Sequence, residues 1–306
     1  MTVRRRRVLL VLLTLVAGAT SCLLAPQSPS GLPVGVVTGW SLETCATAAV
    51  DRDVDGLHDA CELELARAFA PALVVDRNDC SWNGSRLAGG YVYAVQRIAD
   101  ARAIRIAYLP ALFRDCGWEG FQCVTRRRSC SAHAGDSELI AIDVRPVDVA
   151  RRWRAEAVFL SAHCFGRSAG RCRWYTGDEL RHFAWNENAL SAPRVWVAKG
   201  KHANYPSRRE CDSGHWYYDS CDRNDVAYRF PIVTSAQNIG SRDHPLPEDG
   251  IARGCVAAEG LFVADQRADR GTTECFWDPG SRFRGWQRGG YDGATSYARV
   301  LAAIRL

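Results

Sequence analysis

Nowhere among the 306 residues do two cysteines stand in a C-x-x-C pair, although the chain holds 13 of them. That absence turns the cysteines away from zinc-thiolate chemistry and toward disulfides. A phosphate-binding glycine loop, an H-E-x-x-H helix and a dinucleotide fingerprint are missing too, which removes the commonest nucleotide-dependent and zinc-protease classes. The sequence has no internal repeat, and its N-terminal apolar run, Val8 to about Ala19, is too short to span a bilayer. A charge excess of one sign is also lacking. The formal net charge is +5, four units of which come from Arg4 to Arg7, and without residues 1–21 it is +1. The basic pI therefore implies no nucleic-acid partner. Lysine is the scarcest cation: Lys199 and Lys201 are the only two among 39 basic residues, both in one motif.

The four arginines followed by the run Val8 to Ala19 have the form of a secretory signal over residues 1–21. Ala19-Thr20-Ser21-Cys22 resembles a bacterial lipobox, which implies lipidation of Cys22 and contact with a membrane through that anchor. Setting Cys22 aside leaves 12 cysteines, an even number suited to six disulfides in an oxidising, extracytoplasmic compartment. Local pairs are expected for Cys45 with Cys61, Cys164 with Cys172, Cys211 with Cys221 and Cys255 with Cys275, with Cys80, Cys116, Cys123 and Cys130 pairing among themselves. Residues 22–38 are rich in Pro, Ser and Gly, as a flexible tether should be.

Asp51 to Glu62 read D-R-D-V-D-G-L-H-D-A-C-E. Oxygen ligands or a required glycine fall at positions 1, 3, 5, 6, 7, 9 and 12 of a calcium loop. Asp51, Asp53 and Asp55 offer carboxylates, Gly56 the sharp turn and Leu57 its backbone carbonyl; Asp59 acts directly or through water, and Glu62 closes the shell. The alternative is a solvated acidic turn. A helix capped by Ser41 and running through Val50, and a second opening at Ala60 and ended by Pro71, would flank the loop. Residues 39–70 thus form a helix-loop-helix calcium appendage of structural rather than sensing type. The loop resembles those of EF-hands, dockerins and thrombospondin-type repeats, with His58 where an EF-hand prefers an aliphatic residue.

Beyond Pro71 the pattern is of strands: Ala72 to Val75, Tyr91 to Ile98, Ile104 to Leu109, Glu138 to Val144, Ala155 to Ser161 and Val195 to Lys199. The fold class expected for residues 71–306 is mostly β, an antiparallel β-sandwich with long disulfide-bonded loops. Ser296 to Ile304 is either a helix or a strand. Three motifs end or begin strands with a histidine: Ser131 to Glu138 (S-A-H-A-G-D-S-E), Ser161-Ala162-His163-Cys164, and Lys199 to Pro206 (K-G-K-H-A-N-Y-P). Glu138 shares parity with Ile140, Ile142 and Val144, and Asp136 joins them if the strand starts early. A carboxylate on an apolar face must be paired, hydrogen-bonded or metal-bound. His133, Asp136, Glu138, His163 and His202 are therefore candidates to hold a second divalent cation at one edge of the sandwich. Each histidine taken singly is better read as a satisfied hydrogen-bonder.

H-x-G-D-x-E, S-x-H and G-x-H-A-x-Y-P together resemble the vacuolar protein sorting-associated protein 62 family, over about residues 63–240, with Ser137 where that family usually has tryptophan. A more distant likeness is to the necrosis-inducing secreted proteins. That likeness implies a cation held by Asp136 and Glu138, with His133 nearby, on a β-sandwich that engages membrane glycolipid. The resulting expectation is an exported, calcium-binding, lipoprotein-like surface module whose ligand is a membrane, glycan or lipid surface. Trp216-Tyr217-Tyr218, Trp277 and Trp286 could face such a ligand or belong to the core. The alternative is a secreted metal-dependent hydrolase of phosphoesters or glycans, with His163 or His202 as acid and base and Lys201 or Lys199 holding an anion.

Overall fold

A computed structural model of the chain describes residues 32–241 except 34, 48–49, 80–87, 99–100, 116–132, 137, 148–150, 163–171, 187–188, 214–218, 230–236 and 239, together with residue 246. The signal segment, Cys22, the expected Cys255–Cys275 pair, the cysteines at 80, 116, 123 and 130, the aromatic residues at 216–218, 277 and 286, and the segment 296–304 lie outside those residues.

The described chain is mostly β, in two sheets. The first holds seven strands: β1 (Val36–Val37), β3 (Ala88–Arg97), β4 (Ile104–Asp115), β5 (His133–Asp136), β6 (Ile140–Pro146), β7 (Arg152–Leu160) and β8 (Arg173–Thr176). Their order is β1-β7-β6-β4-β3, with β5 beside β4 and β8 beside β7. The second sheet holds five: β2 (Ala72–Asp76), β9 (Trp185–Asn186), β10 (Ala189–Val197), β11 (Asn204–Tyr205) and β12 (Asn224–Arg229), ordered β11-β10-β2-β12 with β9 on β10. Within these sheets every strand pair is antiparallel except β2 with β10. A parallel pair needs a long crossover, and here most of the first sheet intervenes in sequence.

Alternation sets which side chains meet in the core. Leu73 and Val75, Tyr93 and Val95, Ile104, Ile106 and Tyr108, Ile140, Ile142 and Val144, and Val195 and Val197 all enter one buried apolar cluster. β7 changes phase on the way, from Trp153 and Ala155 to Val158 and Leu160. The cause is an extra residue in the ladder: Val144 pairs with Ala155 but Asp143 with Ala157, which leaves Glu156 as a bulge.

The N-terminal helix-loop-helix is built into this same core. Helix α1 (Leu42–Cys45) is capped by Ser41, whose side chain accepts from the Thr44 N–H, and helix α2 (Asp59–Phe69) is capped by the His58 imidazole. Leu42, Leu57, Leu65, Ala66 and Phe69 pack in the core, and the Tyr108 hydroxyl of β4 donates to the Ala66 carbonyl at 3.0 Å. Burying Leu57 or Phe69 contributes about 1.5–3 kcal/mol each. The first helix was expected to run to Val50, yet it stops at Cys45. The Cys45 carbonyl accepts from the His58 N–H at 2.8 Å and its sulfur bonds Cys61, so the chain must leave the helix there to enter the loop.

Two of the expected disulfides lie wholly among the described residues, Cys45–Cys61 and Cys211–Cys221, with Cα separations of 5.5 and 5.9 Å. Cys172 is disulfide-bonded as well. The Cys45–Cys61 bridge joins the helix that enters the acidic loop to the helix that leaves it, at a sequence separation of 16. Replacing both cysteines with serine should cost about 3 kcal/mol, the loop-entropy value for a bridge of this span. Denaturant unfolding of the oxidised wild type and the double variant measures it, and equal stabilities would contradict a clamping role.

Candidate functional site

The acidic loop is shaped by backbone groups that take some carboxylate oxygens and leave others bare. Asp51 accepts from the N–H groups of Asp55 (3.2 Å) and Gly56 (2.9 Å), folding the loop back on its first residue. Gly56 has φ +87°, in the left-handed region where glycine carries no steric cost. Asp55 Oδ1 accepts from the Leu57 N–H at 2.8 Å. Asp59 is held by Arg52, through the backbone N–H at 3.0 Å and the guanidinium Nε at 2.6 Å, so an ion would share this carboxylate with a cationic side chain. The Trp40 ring covers His58, with centroids 4.7 Å apart.

What remains is a set of buried oxygens without hydrogen bonds. Asp53 and Glu62 are both fully buried, at 0 % exposure. Both Asp53 carboxylate oxygens, Asp55 Oδ2 and Glu62 Oε1 have no partner. Ligand atoms of Asp51, Asp53 and Asp59, and again of Asp53, Asp55 and Glu62, lie within 4.8 Å of one another. Burial, then the charges of Asp55 and Asp51, push the Asp53 carboxyl up to about 8. Burial raises Asp55 to about 7, against the lowering effect of its bond from Leu57. Glu62 is likewise raised, by burial first and then by Asp53 and Asp55. Crowding several carboxylates in a dry pocket is unfavourable unless protons or a cation neutralise them. Hard carboxylate and carbonyl oxygens fit calcium, which takes 6–8 such ligands.

The three histidine motifs converge on Ser161. Its hydroxyl donates to Glu138 Oε2, its N–H bonds the Leu139 carbonyl at 3.0 Å, and its own carbonyl accepts from the Asn204 N–H at 2.9 Å. β5 and β6 pair with β4 in the same register: Leu112 pairs with Asp136 and Tyr108 with Ile140. Residue 138 then falls opposite Pro110, which has no N–H to give the ladder, and pairing lapses there. His202 takes a different course from the one expected. It is buried, its Nε2 lies 3.1 Å from Asp79 Oδ1, and Asp79 Oδ2 accepts from the Gly200 N–H at 2.7 Å. This acid was not foreseen as its partner. The pair fixes a tight turn in which His202 has φ +57°, a conformation that costs a non-glycine residue about 1–2 kcal/mol. Lys199 Nζ lies 3.5 Å from Asp76. The side chains of His133 and Asp136, and His163 altogether, lie outside the described residues. Among those described, both groupings of potential metal ligands are in the Asp51–Glu62 loop.

Two further features escaped the sequence reading. Asn238 donates from Nδ2 to Glu62 Oε2 at 3.1 Å, across a sequence separation of 176 residues. Nothing local marks an isolated asparagine as a partner of a distant loop. Gly166-Arg167-Ser168-Ala169-Gly170 carries the letters of a nucleophile-elbow pentapeptide. It falls in 163–171, outside the described residues, and connects β7 to its antiparallel neighbour β8.

No protein-family model, curated protein or solved structure matches the chain. The family likeness therefore rests on the quoted motif residues.

Proposed function

We propose that this is an exported, calcium-binding surface module: a two-layer β-sandwich carrying a single structural calcium in the Asp51–Glu62 loop, with a membrane, glycan or lipid surface as its ligand. The observation that carries the calcium assignment is the Asp53 carboxylate, fully buried, with neither oxygen hydrogen-bonded. Glu62 Oε1 repeats the pattern from the far end of the loop. Asp51, Asp53, Asp55, the Leu57 carbonyl and Glu62 would hold the ion, with Asp59 completing the shell directly or through water. The ion would neutralise the acidic pocket and join the loop to the start of α2. The disulfides support an oxidising compartment, and in the same reading residues 1–21 are a signal and Cys22 a lipid attachment point.

The second cation site stays in this proposal as the group Glu138, His133, Asp136, His163 and His202, the last with its Nε2 already on Asp79. The hydrolase alternative would use His163 or His202 as acid and base, and the Asp79 contact at His202 Nε2 is one that could orient such a base. Terbium, which reports calcium-type sites by emission excited through nearby aromatic side chains, tests the assignment near Trp40. Emission should rise on terbium addition, fall when calcium is added and vanish in Glu62→Gln. Emission that calcium does not displace, or that survives in Glu62→Gln, would place the ion elsewhere.

A further inference from the structure

We infer that Asn238 is a positioning residue for the bound ion, and that docking of the strap formed by residues 237, 238, 240 and 241 and calcium uptake are one coupled equilibrium. The inference rests on the calcium reading of the loop. Three contacts carry it. The Asn238 amide fixes Glu62 through Oε2, leaving Oε1 as the oxygen without a partner. The Ser241 hydroxyl donates to the Asp53 carbonyl at 2.6 Å, so the strap also grips the backbone of a fully buried acid of the loop. Asn238 Oδ1 accepts from the Gly240 N–H at 3.0 Å, which locks the amide so that its nitrogen faces Glu62.

The strap has its own footing in the first sheet. Asn238 forms a parallel bridge with Tyr93 of β3. Gln237, Asn238 and Ser241 are buried, at 4, 2 and 7 % exposure. The Tyr93 hydroxyl is buried without a partner, and burial together with the Glu62 charge holds the phenol above its ordinary range. Glu62 thus sits between the loop, the strap and β3. A carboxylate whose second oxygen is held by an amide is pre-oriented for the ion, as outer-shell donors orient metal ligands elsewhere. Because coupling is reciprocal, whatever the strap adds to calcium affinity, calcium adds to strap docking.

The test uses the full chain, with calcium as the probe. Titration calorimetry of Asn238→Ala should show calcium affinity lowered by about tenfold or more, in the range typical of lost outer-shell contacts. Hydrogen exchange should show the amides of the strap slowed by calcium in the wild type, with that calcium dependence lost in the variant. A purely structural asparagine would change exchange equally with and without the ion. The wild-type exchange comparison needs no variant, so it stands even if Asn238→Ala does not fold, and Ser241→Ala supplies a milder perturbation of the same strap. Unchanged affinity in a folded Asn238→Ala protein, or wild-type exchange in the strap indifferent to calcium, would overturn the coupling. Wild-type protein that takes up no calcium at all would instead remove the calcium reading, and this inference with it.

Discussion

Calcium added to chelator-stripped protein is expected to raise its thermal midpoint, by a free energy of about 2.7 kcal/mol when free ion is about a hundred times the dissociation constant. The effect should also depend on pH in a fixed direction. In the ion-free fold the Asp53 and Asp55 carboxyls are raised to about 8 and about 7, from an ordinary value of 3.8. Between those limits the folded state holds protons that the unfolded chain has already released. The unfolded state binds fewer protons there, so stability falls as pH rises. The contribution is fully present below the unfolded value and is lost once pH passes about 8. Calcium takes the place of those protons. The gap between midpoints measured with calcium and with chelator should therefore widen from about pH 5 to about pH 8. A gap that narrows over that range, or none at any pH, would contradict the account.

The second large effect is a reversal of sign. Asp53→Asn keeps the side chain's shape but removes a charge from a pocket that offers it no hydrogen bond. In chelator at pH 8 the variant should be more stable than the wild type, by at least about 1 kcal/mol, because an unpaired buried carboxylate costs more than a neutral amide. In calcium the order should invert, since the variant loses a ligand and the pocket's negative charge falls. Thermal unfolding of both proteins in both conditions gives the four values required. Should Asp53→Asn be less stable in chelator and keep a full calcium response, Asp53 would be a structural acid rather than a ligand.

How far the sequence discloses this molecule depends on the range of the interaction concerned. The strands at 72–75, 91–98, 104–109, 138–144, 155–161 and 195–199 were legible, because alternation is a local consequence of burial on one face. All six meet strands of the structure, though their bounds differ. The bulge at Glu156 was not legible, because it appears only when β7 is laid against β6. Nor were the short strands β1, β9 and β11, whose two residues each carry no periodicity. The loop's cluster of acids and its turn glycine could be read from spacing alone, as could the Cys45–Cys61 and Cys211–Cys221 bridges. Its setting could not. That Arg52 takes Asp59 and Asn238 takes Glu62 follows from side-chain rotamers and from a contact spanning most of the described chain. His202 shows the same limit: its motif marked it as a ligand candidate, while Asp79, in the turn after the neighbouring strand β2, meets its Nε2 across a separation of 123 residues.

The central claim is that one calcium ion occupies the Asp51–Glu62 loop, and calorimetric titration of chelator-stripped protein with calcium tests it most directly. Wild type should bind the ion in this loop, and both Asp53→Asn and Glu62→Gln, folded by circular dichroism, should lose that binding. No heat of binding in the wild type, or a titration that neither substitution alters, would contradict the account.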